Sequence, residues 1–592
     1  MVRRFLVSAS AALAVTSWAA GLQGAESAGQ QLQRLFDEAW EFGLVEDPLY
    51  ATDCGDHRFD DRLPSVTEAD YQRRLTSQRE FLERWKNIDR AKLSPREQTS
   101  YDVFGRLKQD QIAEYEFRTY LLPITNRSGY HIEFPELPSD VPLDDAAAYE
   151  RYLSRLRDFG RFNDEQIELM RSGIEAGLVL PDVVLAGYEK PVSAQIVDDP
   201  THSALYEPFR RFPATVNADE GRRLAREGQV AIAENVVPAY RRLLVFLRDE
   251  YLPAARGPIG VSALPHGREL YQHRVRRFTT LDLTPQQVHD IGLSEVARIH
   301  EEMHSAIRAS GFEGDFAAFI EFLRTDPRFY FESPEQLMKE VALVLKKIDG
   351  ELPRLFKTLP RMPYGIKEVP AFIAPATTTA YYHGPSGDGT RGGVYFVNTY
   401  DLKSRPLYEI EALSLHEAVP GHHLQIARQQ ELEGLPAFQR FAGFTAFVEG
   451  WGLYAERLGL ETGFYQDPYS NFGRLSYEMW RACRLVVDSG MHYFGWTREQ
   501  AIEYMAANTA LTRRNITNEV DRYISWPGQA LAYKMGELKI RELRRRAEER
   551  LGQRFDLREF HDVVLRQGAV PLTVLERIVD EYIAEEENRE ER

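Results

Sequence analysis

Apolar residues recur at helical spacing through most of the first third of the chain. Between Gln31 and Leu107, and again between Asp144 and Ile174, they return every third or fourth residue, as in Leu32, Leu35 and Phe36. This period places one apolar stripe along each segment and predicts amphipathic α-helices that pack around a core.

Helix starts support the same fold class. Four segments carry a Ser or Thr cap followed three residues later by Glu or Gln, which is the pattern of a capping box. Three of the four also place proline at the first helical position, where its missing N–H costs nothing. The four segments are Ser94–Glu97, Thr284–Gln287, Ser333–Gln336 and Thr497–Gln500.

The pattern changes between about Val369 and Asn398, where proline, threonine and glycine separate short β-prone runs. We predict strands at Ala371–Ile373 and Gly393–Val397, with a glycine-rich loop from Gly384 to Gly393. The sequence therefore predicts a mainly α fold with one small antiparallel or mixed sheet. This sheet precedes a histidine-rich helix.

Length and composition limit the class of protein to which the chain can belong. The 592 residues exceed the ~250–300 at which one hydrophobic core stops growing, so we expect several subdomains or one large helical body. A formal net charge of -17 makes the surface a poor partner for nucleic acid, and we expect none. The two cysteines, Cys54 and Cys483, are predicted to be either two free residues or one pair.

Residues 1–25 have the layout of a secretory signal peptide, with Arg3 and Arg4 before an apolar run from Phe5 to about Leu22. We therefore expect a periplasmic or secreted protein that is cleaved after Ala19 or Ala25. A membrane anchor is the alternative, but the run lacks an uninterrupted apolar core of ~20 residues. No cysteine follows the run, so neither a lipid anchor on cysteine nor membrane contact after cleavage is expected.

The strongest chemical signal is the segment from His416 to His423, which contains three histidines and a glutamate. A histidine beside a glutamate is typical of sites where one residue binds zinc and its neighbour activates water. In the usual helix-borne site the second histidine lies four residues on, but that position is Pro420. The helix must therefore bulge or break at the Pro-Gly pair. We favour His422 over His423 as the second ligand because it follows the glycine directly.

A third protein ligand is needed to leave one position open, and Glu449 is the best candidate. It lies in a predicted aromatic-rich helix, Phe438–Leu458. Glu456 lies seven residues further on the same face and could hold a ligand histidine in place. The alternative is that both are surface carboxylates. However, the two glycines that flank Trp451 indicate a helix packed closely against another.

Together these segments resemble the bacterial proteins grouped as domain of unknown function 885. That family is similar to gluzincin-type helical zinc peptidases such as thimet oligopeptidase, angiotensin-converting enzyme and the thermostable bacterial carboxypeptidases. The resemblance implies peptide hydrolysis, a glutamate third ligand and a deep channel. It also implies one helical domain over residues 26–592, with or without a division into two lobes. The segments that carry it are Gly393–Asn398, His416–Gln425, Glu449–Glu456, Asp488–His492 and Arg522–Lys534.

In those relatives a histidine and tyrosines from the C-terminal part face the zinc, and an arginine or lysine holds a substrate carboxylate. The resemblance assigns the first role to His492, Tyr523 and Tyr533, and makes Arg522 and Lys534 their charge partners.

These residues predict a zinc-dependent hydrolase of short peptides. Glu417 takes the proton of the attacking water and passes it to the leaving amine, while His492 or Tyr523 donates to the oxyanion. We expect the substrate to add to the edge of the strand Gly393–Asn398. Two alternatives stay open. One is a noncatalytic helical protein that binds a peptide or partner through a degenerate metal site, and the other is a zinc hydrolase of another amide or ester.

Overall fold

The computed structural model describes residues 26–125, 127–371, 373–375 and 377–588. The expected signal peptide, residues 1–25, lies outside the described residues. Within the described ranges, no helix combines the length and the apolar character needed to cross a membrane. Neither Cys54 nor Cys483 forms a disulfide, so the two cysteines are free.

The fold is mainly α, as the periodicity predicts, because most segments bury one apolar face. The first half contains α1 (Ala28–Glu46), α2 (Pro48–Asp53), α3 (Glu68–Lys86), α4 (Pro95–Glu116), α5 (Tyr130–Glu133), α6 (Ala146–Glu175), α7 (Glu189–Ser193), α8 (Ala218–Ala231), α9 (Val237–Phe246), α10 (Leu252–Ala254), α11 (Gly267–Thr279) and α12 (Pro285–Ser310). The second half contains α13 (Phe316–Thr325), α14 (Pro334–Leu355), α15 (Ile410–Glu417), α16 (His422–Gln430), α17 (Ala437–Arg440), α18 (Thr445–Leu458), α19 (Pro468–His492), α20 (Arg498–Asn508), α21 (Arg513–Ser525), α22 (Ala532–Leu551), α23 (Leu557–Leu565) and α24 (Leu572–Asn588).

Three of the four predicted capping boxes are confirmed, at the starts of α4, α12 and α20. The fourth is only half formed. The Ser333 hydroxyl accepts from the Gln336 N–H, but the Gln336 side chain accepts from the N–H of Glu332 instead of that of the cap. The predicted helix Phe438–Leu458 is also interrupted, because α17 and α18 are separate helices.

The sheet has three strands in the order β1-β3-β2: β1 (Tyr364–Glu368), β2 (Ala380–His383) and β3 (Gly393–Val397). β1 pairs with β3 in parallel and β2 pairs with β3 antiparallel, which confirms a small mixed sheet. The predicted strand Ala371–Ile373 is wrong. The N–H of Ile373 donates to the carbonyl of Pro370, so the backbone there closes a local turn instead of pairing with a strand.

β3 is the central strand, and this corrects the predicted mode of peptide binding. Both of its edges are already paired, to β1 on one side and β2 on the other. A substrate therefore cannot add to Gly393–Val397 by main-chain hydrogen bonds. The free edges of the sheet belong to β1 and β2.

The core is centred on two closely packed helix pairs, α12 with α19 and α18 with α22. Gly450 of α18 lies against Gly536 of α22 so closely that a Cβ on either residue would overlap the backbone of the other helix. This confirms the close packing that the glycines beside Trp451 predict. The contact holds α18, which carries Glu449, in a defined position against the C-terminal helices.

Candidate metal centre

The chain leaves the helical path between the two histidines, as the Pro-Gly pair predicts. α15 ends at Glu417 and α16 begins at His422. Gly421 is required at the junction because a Cβ there would overlap the carbonyl oxygen of His416. The indole N–H of Trp451 donates to the carbonyl of Pro420 at 2.9 Å, which ties this junction to α18.

The break brings His416 and His422 to the same carboxylate. His416 Nε2 lies 3.6 Å from Glu449 Oε2, and His422 Nε2 lies 3.4 Å from the same oxygen. One ligand atom from each of the three residues lies within 4.8 Å of the others. The His416 side chain is 4% exposed, whereas those of His422 and Glu449 are 11% and 19% exposed, so solvent reaches the group past His422 and Glu449.

The two distances to the Glu449 oxygen fit shared ligation of one ion. Two ligand atoms bonded at ~2.0–2.1 Å to a tetrahedral metal lie about 3.4 Å apart. A direct hydrogen bond between the same atoms would be ~2.7–3.2 Å long. Two imidazole nitrogens and one carboxylate oxygen are also the donor set of a catalytic zinc site, with a fourth position left open. The residues present therefore fit a zinc ion.

Glu456 orients His416 from the opposite side of the ring. Its Oε1 lies 2.8 Å from His416 Nδ1 and accepts from Nη2 of Arg481 at 2.9 Å. A carboxylate beside Nδ1 favours a hydrogen on that nitrogen, so that Nε2 is the nitrogen that would give up its proton to bind a metal. Gly452 makes room for the ring, because a Cβ at this position would lie 2.7 Å from His416 Cε1.

The electrostatics of the group favour a bound cation. Burial lowers the pKa of His416, but the carboxylates of Glu449 and Glu456 outweigh it and raise this pKa to about 9. Burial raises the pKa of Glu449, yet His416 and His422 hold it well below its usual value. A positive charge is thus stabilised where the three ligand atoms converge.

Glu417 follows His416 directly in the chain, and the charges of the ligand group act on its carboxyl group. Glu417 is buried, and burial raises the pKa of its carboxyl group above the usual value. His416 and His422 act in the opposite direction and lower this pKa. A raised pKa increases the affinity of a carboxylate for a proton, which suits proton transfer near neutral pH. Tyr395 of β3 is fully buried, and the Glu417 charge contributes to raising the pKa of its hydroxyl group.

His423 does not join the group, because both of its ring nitrogens have other partners. Its Nε2 lies 3.0 Å from the carbonyl oxygen of Met362, and its Nδ1 lies 2.8 Å from the Tyr382 hydroxyl. A carbonyl only accepts, so Nε2 carries the hydrogen and Nδ1 accepts from tyrosine. The structure therefore brings His422 to Glu449 and holds His423 against the sheet.

The prediction that His492 faces the metal is not supported by its contacts. Its Nδ1 accepts the N–H of Val261 at 3.1 Å, and its Nε2 donates to the carbonyl of Tyr523 at 2.9 Å. Burial lowers its pKa to about 3, so the ring stays neutral. With both nitrogens committed to backbone groups, His492 joins α19 to α21 and has no hydrogen left for an oxyanion.

Tyr523 is engaged in the same way. Its hydroxyl accepts from Trp480 Nε1 and Arg484 Nε and donates its single hydrogen to Glu519 at 3.0 Å. Tyr533 differs, because the two groups recorded at its hydroxyl are both donors: the side-chain amide of Gln529, at 3.5 Å, and the guanidinium group of Arg522. Of the two tyrosines, Tyr533 alone keeps its hydroxyl hydrogen available.

Lys534 and Arg522 also have internal partners. Lys534 is fully buried and its ammonium lies within 3.0 Å of three carboxylates, which belong to Glu295, Glu478 and Glu537. Arg522 pairs with Glu519 at 3.1 Å. Lys534 is therefore not free to bind a substrate carboxylate in the way that the resemblance implies, whereas Nε and Nη2 of Arg522 have no hydrogen-bond partner among the described residues.

Sequence reasoning missed two groups that shape the site, Arg481 and Gly452. Arg481 lies in an apolar and aromatic stretch of α19, where a buried arginine must have a carboxylate partner. That signal was present in the sequence. The role of Gly452 had only a weak signal, because the glycine shows close packing without showing which side chain approaches it.

Comparison with known proteins assigns the chain to a family. A putative lipoprotein from Colwellia psychrerythraea has the same fold, with a TM-score of 0.90 and 30% identity over 95% of this chain and 100% of that one. A second solved structure is described as "a putative lipoprotein of unknown function from Shewanella oneidensis". It shares the fold with a TM-score of 0.65 and 18% identity over 94% of this chain and 100% of that one. No curated protein matches the sequence. The family model described as "Bacterial protein of unknown function (DUF885)" matches residues 48–579, and the chain therefore belongs to that family.

Proposed function

We propose that the chain is a zinc-dependent peptidase whose ion is held by His416, His422 and Glu449. The observation that carries the proposal is the spacing of 3.4 and 3.6 Å between the two Nε2 atoms and one Glu449 oxygen. This spacing is that of ligands sharing a tetrahedral ion. The carboxylate of Glu456 behind His416 supports it, because ligating histidines usually donate their second N–H to such a group.

Glu417 is the proposed general base. When bound, zinc supplies a Lewis acid that acidifies water and polarises a carbonyl group. Glu417 accepts the proton of the attacking water and delivers it to the leaving amine, which balances the hydrolysis of one amide bond. The charges of His416, His422 and Glu449 all act on its carboxyl group, which supports a position beside the ligand group, and its burial excludes competing solvent. The limited exposure of the ligands supports short peptides as substrates, because a folded protein could not bring its backbone to them.

The test is a paired measurement on the purified mature protein. We expect about one zinc per chain, and cleavage of a peptide library that stops with a chelator and returns with zinc. A protein that was never exposed to chelator, holds no stoichiometric metal and fails to take up zinc would remove the proposal. A metal-loaded protein that leaves every peptide intact but cleaves another amide or ester would instead change the substrate class.

We further propose Tyr533 as the donor to the oxyanion, since its hydroxyl hydrogen is available. Tyr533→Phe is expected to reduce turnover by about 10²–10³-fold with little change in stability, as the loss of one oxyanion donor does elsewhere. Tyr523→Phe is the matched control, and it should mainly lower thermal stability because Glu519 loses a buried partner. Kinetics and thermal unfolding of both variants provide the test. Unchanged turnover in Tyr533→Phe would exclude the role.

We propose that the protein acts outside the cytoplasm. The arginines and the apolar run of residues 1–25 support export. Both structural relatives are described with the words "putative lipoprotein", which also supports export. In this chain the apolar run is not directly followed by the cysteine that a lipid anchor needs. N-terminal sequencing of the protein recovered from the periplasm or medium is expected to begin between Ala20 and Glu26. Recovery of intact Met1 in the membrane fraction would contradict this.

A further inference from the structure

A cavity of about 460 Å³ lies between α12, α18 and α22, away from the metal centre. Arg457 of α18 lines this cavity. Successive side chains of an α-helix are turned by about 100°, so Arg457 projects from a different face of α18 than the adjacent Glu456. Five arginines and four glutamates supply the charges of the wall. The five arginines that line the cavity are Arg298, Arg457, Arg541, Arg544 and Arg545.

A partly buried network with balanced charges extends inward from the cavity wall, to which Glu295, Arg298 and Arg541 belong. Four cations and four carboxylates contact one another within 4.0 Å, and each cation has at least two carboxylate partners in the network. The cations are Arg298, Arg474, Lys534 and Arg541, and the carboxylates are Glu295, Glu302, Glu478 and Glu537. No negative charge of this network is left over for a further cation.

Arg457 is a cation of the cavity wall that lies outside this network. Within the described residues its side chain forms no ion pair and no hydrogen bond, and its Nη1 is buried without a partner. Burial lowers the pKa of its guanidinium group, and the positive charge of Arg541 lowers it further, against the attraction of Glu478. An arginine in this position has no carboxylate in contact with its charge and has an unfilled donor at Nη1, both of which cost free energy.

The other arginines of the wall do not share this deficit. Arg544 pairs with Glu461 and Glu548, which are 35% and 42% exposed at the rim. Arg545 pairs with Glu549 at 3.2 Å and is largely exposed itself. The unfilled positive charge therefore lies at Arg457, on the inner side of the cavity.

We propose that this cavity binds a small oxyanion, a phosphate or carboxylate group, whose oxygens accept from the guanidinium of Arg457. The planar guanidinium matches two oxygens of either group, and such charge-assisted hydrogen bonds are strong where water is partly excluded. The rim glutamates favour a ligand of low negative charge. The proposal is independent of the metal centre and of the peptidase function.

The test measures anion binding by the full mature chain, with inorganic phosphate and acetate as probes and chloride at matched ionic strength as reference. We expect phosphate or acetate to raise the unfolding temperature, and calorimetry to give a saturable isotherm. Arg457→Gln should weaken binding by at least about tenfold. Arg545→Gln removes a charge from the same cavity but should bind as the parent does, because Arg545 has its own partner.

Two further outcomes decide the proposal. In chloride, Arg457→Gln should be as stable as the parent or more stable, since it removes an unpaired buried charge. A clear loss of stability would show that Arg457 is already paired and would overturn the proposal. The same holds if neither probe binds the parent protein, or if Arg457→Gln and Arg545→Gln weaken binding equally. A response to only one probe would identify the oxyanion as phosphate or as carboxylate.

Discussion

Glu417→Gln is expected to retain zinc and to reduce the rate of peptide cleavage by about 10²–10⁴-fold, the contribution of a positioned general base. The change keeps the size and polarity of the side chain but removes the carboxylate that takes the proton of water. The Michaelis constant should change little, because Glu417 is proposed to act on the water and the leaving group. Metal content and initial rates measured on one preparation provide the test.

Glu411→Gln is a matched control on the same helix. The Glu411 carboxylate accepts the N–H of Tyr465 at 2.9 Å, so it is engaged away from the ligand group. We expect this variant to keep both zinc and turnover. A fully metallated Glu417→Gln protein that cleaves at the parental rate would exclude the mechanism, and one that loses its zinc would make Glu417 a ligand or a structural group instead.

His422→Asn and His423→Asn are expected to separate two adjacent histidines. His422→Asn should lose zinc. Removing a residue that only orients a ligand lowers metal affinity by ~10–100-fold, and removing the ligand itself should lower it further. His423→Asn should retain zinc and turnover, but its loss of the contacts to Tyr382 and Met362 should cost about 1–3 kcal/mol of stability. Zinc titration and thermal unfolding of the two variants measure both effects.

The opposite pattern would contradict the site. If His423→Asn lost the metal and His422→Asn kept it, the ring of His423 would have to leave the sheet to reach Glu449. Equal losses in both variants would indicate that the segment is disrupted as a whole. In that case neither histidine could be assigned as a ligand from these data.

Local features of the chain were predictable where covalent chemistry restricts the backbone. The period of apolar residues predicts the helices, and the caps predict three helix starts in detail. Pro420 has no N–H to donate, and Gly421 has no Cβ to collide with the carbonyl oxygen of His416. The break between α15 and α16 was therefore also predictable. The strand Ala371–Ile373 was wrong because β-propensity does not reveal whether a partner strand is available.

The sequence by itself determined the fold class, the helix break and the set of residues from which ligands could come. Tertiary structure decided which atoms face one another. His492 has the chemistry of an oxyanion donor, but the N–H of Val261 and the carbonyl of Tyr523 fill its two nitrogens. Likewise, β3 is a plausible docking strand until β1 and β2 pair with both edges. The reason is physical, since helix period and caps depend on neighbouring residues, whereas hydrogen-bond partners depend on packing between segments far apart in the chain.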